Sequence, residues 1–445
     1  MPDSELEFGT CAKLALIAER ARREPGCQFT SLAHLLNERF LELCYYRLGR
    51  DLASGMDGVT WKEYGEHLQE NLRDLAAQMK AKRYKPQPAK RVYIPKDEHS
   101  QRPLGLPALE DKIVQKGIAE ILSAIYEADF LDCSYGFRPG KSCHQALATV
   151  YDTIIKEPVN HIVDADIKGF FDGVSHPWLI KFLEVRIKDP SFLLLIERFL
   201  KAGYVEAGRI EQPEQGTPQG GNLSPMLSNI YLHYVLDLWF EKRIKRQVRG
   251  ACFLARYADD FVCMVQHRDD AQYVMQALRE RFARFSLVLH PEKTRVISFG
   301  RFERENARKQ RRRPNTFDFL GFTHYCTLSR CGKFNLGRKS SRKKFCKKLR
   351  EMKDWLHKAR KVCTVKDWWP ILKAKLMGHY QYYGISGNMR SIARFYRLVE
   401  RLTLKCLNRR SQRKSFNWTE FQSYLKRYPL PKPRIVHKYM PIPVT

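Results

Sequence analysis

The chain is 445 residues long, 44% hydrophobic and 29% charged, enough apolar content for a sizeable core and, at roughly 100 to 200 residues per domain, for two to four domains. Its apolar runs, such as Ser191 to Leu195, are interrupted by charge long before the ~20 residues of a membrane span, and the acidic start Met-Pro-Asp-Ser-Glu-Leu-Glu lacks the apolar stretch of a secretory signal. Those features predict a cytoplasmic protein with no membrane partner, and the net charge of +31 points to a polyanion partner instead.

From the N-terminus, Leu14, Leu16 and Ile17, then Leu32, Leu35, Leu36, Phe40, Leu41 and Leu43 carry helical spacing and predict two amphipathic helices. Gly55 and Gly58 mark a loop, and a helix over about Trp61 to Lys82 ends at Pro86 and Pro88. Lys90 to Pro95 and Gln101 to Leu106 read as a hairpin with a charged tip, followed by an Ile- and Leu-rich helix from about Leu109 to Tyr126. In the strand from His161 to Ile167, Val163, Ala165 and Ile167 face one way while Ile162, Asp164 and Asp166 face the other, so an acid stands at the strand end. Helices are expected over Ser224 to Lys245 and Asp269 to Phe285. Between them, Cys252 to Tyr257 and Phe261 to Val265 are β-prone runs flanking Ala258-Asp259-Asp260, the pattern of a hairpin with acids at its turn.

Arg301 to Asn315 is basic and poor in apolar residues, which predicts a surface loop, and helical periodicity returns from about Ser340 to Arg410 before a proline-rich extended end at Pro429 to Pro433. Charge is very unevenly spread. Residues 301–445 hold 38 Lys and Arg against 8 Asp and Glu, a net of +30, whereas residues 1–300 hold 41 against 40. A single basic run is ordinarily a solvated helix face, but an imbalance over 145 residues calls for a nucleic acid to offset its self-repulsion. The twelve cysteines include no pair at zinc-ribbon spacing; Cys326 and Cys331 come nearest and lack the second pair a four-ligand site requires.

Transfer of a phosphoryl group to a nucleic-acid 3′-hydroxyl commonly uses two divalent ions held by carboxylates on adjacent rigid strands. Asp166, Asp259 and Asp260 suit such a site, because Mg²⁺ takes hard oxygen ligands and leaves its other positions to water and phosphate. Tyr257-Ala258-Asp259-Asp260 alone is a weak signal, since Asp-Asp is common in turns. The flanking blocks strengthen it: Ile94-Pro95-Lys96 with Arg102 to Pro107, Tyr135 to Gly140, Asp164 to Asp172, Gly216 to Gly221 with Leu223-Ser224-Pro225, Leu289 to Thr294, and Phe319 to Phe322.

In that order these blocks resemble the reverse transcriptases encoded by bacterial group II introns, from about residue 30 to the C-terminus. The resemblance implies an α+β right-hand polymerase, with fingers and an antiparallel palm sheet followed by an α-helical thumb or maturase domain. Its expected divisions are an N-terminal helical extension (1–60), fingers (61–160), palm with the catalytic site (161–325), thumb and maturase domain X (326–410) and a basic proline-rich tail (411–445). It implies that Asp166 and Asp259 hold two Mg²⁺ ions, or Mn²⁺, with support from Asp260 and the Ile167 carbonyl. Lys96 and Arg102 would grip the incoming triphosphate, and Gln219 would lie against the nucleotide. Phe171 fits either the gate that excludes a ribose 2′-hydroxyl or a core position; Lys293 either approaches the triphosphate or is a surface lysine. Phe319, Leu320 and Gly321 would form the primer grip. Gly378 to Gly384, Leu407 to Gln412 and Leu430 to Ile435 resemble the thumb and maturase region, where Tyr382 and Tyr383 fit core better than stacking platforms. The implied function is an RNA-directed DNA polymerase that binds its intron RNA to assist splicing and copies it into DNA at a DNA target during retrohoming. Its partners would be intron RNA, an RNA template with a DNA or RNA primer, and dNTPs. The alternatives are a related enzyme of repair or defence and a non-catalytic RNA-binding splicing factor, the latter disfavoured by the intact acids. The paired-cysteine endonuclease of longer members has no counterpart before Thr445, so second-strand cleavage is not expected.

Overall fold

The computed structural model describes residues 4–95, 101–212, 214–217, 220–329, 331–409 and 415–439. The tip of the expected hairpin with Lys96, and Gln219 of the glycine-rich block, lie outside the described residues, as does Arg410-Ser411-Gln412 of the basic third.

Among the described residues there are thirteen strands: β1 (Ala89–Pro95), β2 (Gln101–Leu106), β3 (His161–Ala165), β4 (Ile167–Lys168), β5 (Tyr204–Glu206), β6 (Arg209–Glu211), β7 (Cys252–Tyr257), β8 (Asp260–Val265), β9 (Val288–Leu289), β10 (Arg295–Ser298), β11 (Thr316–Phe319), β12 (Phe322–Leu328) and β13 (Phe334–Ser340). The predicted hairpin β1–β2 forms in antiparallel register and is extended through β5 to β6. A central antiparallel sheet runs β10-β3-β8-β7, a third sheet runs β11-β12-β13, and β4 pairs with β9. The fold is mixed α+β.

The central sheet divides two cores, and the two-residue period of a strand decides which side chain enters which. Val163, Ala165, Phe261, Cys263 and Val265 pack with the helices Leu109–Tyr126, Ser224–Leu232 and Arg268–Arg284. Ile162, Val262, Met264 and Ala255 pack on the other face, against the helix Cys143–Lys156, the β11–β13 sheet and the C-terminal helices. Asp164 and Asp166 continue the row of Ile162 on this second face, at the end where the core gives way to solvent.

Several expectations change. The helix over 61–82 is two helices, Trp61–Glu66 and Leu68–Lys80, because His67 leaves helical geometry at φ −123°. The helix from Ser224 passes through two π-helical turns, His233–Asp237 and Phe240–Ile244, and runs on to Gln247. Within the expected loop 301–315 a helix, Glu303–Lys309, forms because Ala307 is buried and Glu303 accepts from Arg312 at 2.6 Å and from the Asn315 backbone at 2.8 Å. The expected helical unit from 326 opens with strand instead: the last three residues of β12 and all of β13 precede its first helix, Arg342–Val362. The extended end is tied down, since Leu430 is buried and Val436 and His437 donate to the Gly384 carbonyl.

Under the end of the central hairpin lies Arg256, fully buried, its guanidinium 2.5 Å from the equally buried Asp237. The same side chain donates to Asn229 Oδ1 at 3.1 Å, Ser134 Oγ at 2.7 Å and the Ala258 carbonyl at 3.0 Å. Burial by itself pushes the guanidinium pKa down, and Asp237 reverses this so that it ends above its usual value. Asp237→Ala strands this cation in the core. It should lower unfolding stability in denaturant titration by about 3–5 kcal/mol, and an unchanged midpoint would show that the pair does not hold the fold.

Candidate active site

β7 and β8 pair up to Tyr257 and Asp260, which leaves Ala258 and Asp259 as a two-residue turn. Ala258 has φ 57°, a left-handed conformation that costs an L-residue on the order of 1–2 kcal/mol. Three neighbours hold it there. Arg256 donates to its carbonyl from below. Tyr135 and Arg256 exchange backbone bonds through Cys133, with Tyr135 N to Arg256 O at 2.9 Å and Arg256 N to Cys133 O at 2.7 Å. Gly136 lies so close that a Cβ there would meet the Ala258 nitrogen at 2.3 Å. The need for glycine at 136 is therefore a matter of close approach, and it accounts for that part of the Tyr-Gly-Phe-Arg block.

β3 is hydrogen-bonded alongside β8, with Asp164 opposite Val262 and Ala165 opposite Phe261. Asp166 follows immediately, at the crossing from β3 to β4; its carbonyl accepts from His290 at 2.7 Å. That bond makes Asp166 and His290 a hydrogen-bonded pair, so the next carbonyl, of Ile167, is turned away from β9. Lys293 bonds Asp166 Oδ2 at 2.6 Å, with both side chains substantially exposed.

The acids are brought together. Solvent reaches one edge of Asp260 while protein walls the rest, and its pKa is pushed up to about 7 by desolvation, then by the charges of Asp259, Asp164 and Asp166, against a lowering pull from Lys344. Asp164 is pushed up to about 6 by burial and then by Asp318 and Asp166, with Arg295 at 3.7 Å opposing them. Sequence alternation puts Asp164 on the acid face without marking a role for it; its coupling to Asp260 needs the β3–β8 pairing to become visible. Among the described residues no three Asp, Glu, His or Cys side chains close on a single point as a ready-made cage; Asp166 is turned onto Lys293. The donor set of carboxylate oxygens, with mutual repulsion only partly offset by Lys293, Arg295 and Lys344, suits a hard divalent cation that keeps water or phosphate in its remaining positions.

Two further groups of predicted residues assemble, the first of them against Asp260. Phe319-Leu320-Gly321 forms the β11–β12 turn, with Leu320 at φ 47° and Gly321 at φ 80°, and the Tyr382 hydroxyl donates to the Leu320 carbonyl at 2.9 Å. Leu320 and Gly321 line, with Asp260, Lys344 and His379, a cavity of about 650 Å³ between the turn and the C-terminal helices. Tyr383 is buried and Tyr382 is bonded within the fold, in keeping with a core role. The guanidinium of Arg102 sits 5.9 Å from the Phe171 ring centre, so the β2 cation and the gate candidate share one side of the site. Phe171 is half-buried and lines a cavity of about 320 Å³ with Pro103, Gly105, Asp172, Gly216 and Thr217. The glycine-rich block closes on it, since Thr217 N donates to the Phe171 carbonyl at 2.7 Å and a Cβ on Gly220 would meet the Gly105 oxygen at 2.6 Å.

A sheet with an acidic hairpin turn beside a second strand-end acid is the arrangement that metal-assisted phosphoryl transfer calls for. A family model described as reverse transcriptase (RNA-dependent DNA polymerase) matches residues 94–324, just over half of the chain, and the chain belongs to that family. It is 37% identical over 235 residues to the group II intron-encoded protein LtrA of Lactococcus lactis, covering 52% of this chain and 39% of LtrA. Protein YkfC of Escherichia coli is 36% identical over 254 residues, covering 51% of this chain and 66% of YkfC. An uncharacterised 91 kDa protein in the cob intron of Schizosaccharomyces pombe is 40% identical over 163 residues, 37% of this chain and 20% of that protein. The matches span less than two thirds of these relatives' own length.

Because Gly136 touches the turn backbone, Gly136→Ala should cost about 1–3 kcal/mol by overpacking, read as a lower unfolding midpoint. A midpoint equal to that of the wild type would mean that the turn moves freely away from residue 136.

Proposed function

We propose that this chain is an RNA-directed DNA polymerase that binds a group II intron RNA, assists its splicing and copies it into DNA at a DNA target during retrohoming. The observation that carries the reading is the pairing of β3 with β8, which sets Asp166, the residue after β3, beside the hairpin turn of Asp259 and Asp260, inside the span that matches the family.

In this reading residues 61–160 are fingers, 161–325 palm, 326–410 thumb and maturase domain, 1–60 an N-terminal extension and 411–445 a basic tail. Asp166 and Asp259 hold the metal pair, with Asp260 and the Ile167 carbonyl in support, and Asp164 adds negative charge behind them. Two Mg²⁺ ions, or Mn²⁺, bound there would acidify the primer 3′-hydroxyl and neutralise the departing pyrophosphate. Arg102 and Lys96 grip the triphosphate, for which Arg's planar fork is suited to phosphate oxygens. The Phe171 ring, on backbone anchored by the Thr217 bond to its carbonyl, crowds the sugar edge and selects deoxynucleotides; Gln219 borders the same nucleotide. Lys293 holds a proton at Nζ beside Asp166, from where it can pass to the pyrophosphate oxygen as that group leaves. Phe319, Leu320 and Gly321 seat the primer end, and Tyr382 steadies that turn. The basic C-terminal third contacts RNA through phosphates: the helix Arg342–Val362 opens with exposed Arg342, Lys343 and Lys344 and no acid in its first turn. Anionic backbone is what such a helix start favours. Among the described residues no helix is long and apolar enough to cross a membrane.

Primer extension on an RNA template with Mg²⁺ and dNTPs tests the catalytic assignment. Asp259→Ala should abolish incorporation while leaving primer–template binding in place, and equal incorporation by both proteins would sink it. Phe171→Ala should admit ribonucleotides that the wild type rejects; unchanged discrimination would return Phe171 to a packing role. RNA affinity of the full chain should fall steeply as salt rises, and binding indifferent to salt would contradict the electrostatic reading.

A further inference from the structure

Seven described non-glycine residues have positive φ, and three of them, Phe137, Ala258 and Leu320, surround the acids. Ala258 and Leu320 are turn residues with a purpose already evident. Phe137 is different. A bulky aromatic is the wrong residue for φ 56°, and its ring is not rewarded with burial, being 56% exposed. Among the described residues no aromatic or cation partner meets it across the ring contacts of the fold.

The conformation is imposed from both sides. The Gly136 carbonyl accepts from Asn229 Nδ2 at 2.7 Å, and Asn229 in turn accepts from Arg256. The following Arg138 is buried, with its guanidinium on Glu127 at 3.0 Å and on the carbonyls of Leu131 at 2.8 Å and Ser134 at 2.9 Å. Gly136 itself is wedged against the Ala258 nitrogen. Phe137 is thus held out beside the catalytic turn by the same buried network that positions that turn. Backbone strain maintained by surrounding structure, on a side chain presented to solvent at a reaction centre, is a mark of contact with a ligand.

We propose that the Phe137 ring is a stacking platform for a nucleobase of the primer–template next to the catalytic turn. A base offers a flat apolar face, the substrate is drawn to a strongly basic chain, and stacking on an aromatic ring tolerates every base, as copying of arbitrary sequence requires. The ring belongs to nucleic-acid positioning and not to the metal chemistry. The inference rests on the polymerase reading above.

Equilibrium binding of a short DNA primer on an RNA template, with single-nucleotide addition on the same duplex, tests it in the full chain. Phe137→Leu and Phe137→Gly should each weaken binding about tenfold, and Phe137→Trp should stay within about twofold of the wild type. The KM for primer–template should rise with little change in kcat. Phe137→Gly should unfold at a temperature no lower than the wild type, because glycine accepts the left-handed backbone. The Phe137→Leu penalty should vanish on a duplex lacking the stacked base, found by moving one abasic position along each strand. Unaltered binding by both variants, a lowered unfolding temperature for Phe137→Gly, or a penalty that persists at every abasic position would overturn the inference. Wild-type protein that neither binds nor extends the duplex would fail the polymerase reading itself, which is a different result.

Discussion

The buried Arg256–Asp237 pair is the constraint on which the site depends. A guanidinium without solvent must spend all its donors inside the protein, and here they go to Asp237 on a π-helical turn, to Asn229, to Ser134 and to the Ala258 carbonyl. Those four partners come from three separated stretches of chain. One cation thereby fixes the helix behind the sheet, the segment leading to Gly136 and the acidic turn relative to one another. Such a pair gains little over a well-packed apolar core; its value is directional, since charge-assisted bonds hold angles that hydrophobic packing leaves loose.

Above that clamp the structure gathers like charges. Desolvation, and then repulsion from Asp259, Asp164 and Asp166, raise Asp260 to about 7, and cations at the rim, Lys293 on Asp166 and Arg295 by Asp164, offset part of the repulsion. The site is therefore destabilising to the fold and is supported from beneath by the two cores. Strain follows the same rule: Phe137, Ala258 and Leu320 stand in left-handed backbone around the acids, each held by neighbours whose own bonds are well satisfied.

Much of this was legible in the chain. Period-two alternation found β3 and its acid face, the β-prone runs around Asp259 and Asp260 found the hairpin, and the ordered blocks identified the family. Where local pattern was misread, tertiary contact had overruled it. Glu303 and Ala307 lie in a stretch too basic to promise a helix, but Arg312 and a buried alanine make one. The strands within 322–340 are poor in alternating apolar residues because Arg338 and His324 occupy buried positions that such a pattern reserves for hydrophobes. The π-helical turn that carries Asp237 onto Arg256 is marked by no residue type of its own, so a helix reading of 224–245 passes over it.

The sequence by itself determined the family and nominated the candidate acids, because Asp166, Asp259, Asp260 and the glycine-rich and Phe319 to Phe322 blocks are recognisable by type and order. It also determined where the charge lies, which is a matter of counting. Only the tertiary structure decided how these parts meet: that Asp164 joins the acids, that Arg102 stands over Phe171, that Tyr382 ties down Leu320, and that Phe137 is strained and exposed beside the turn. These are contacts between residues tens to hundreds apart in the chain. Local propensity carries no information about them, because they follow from strand register and from where a buried charge can find its partners.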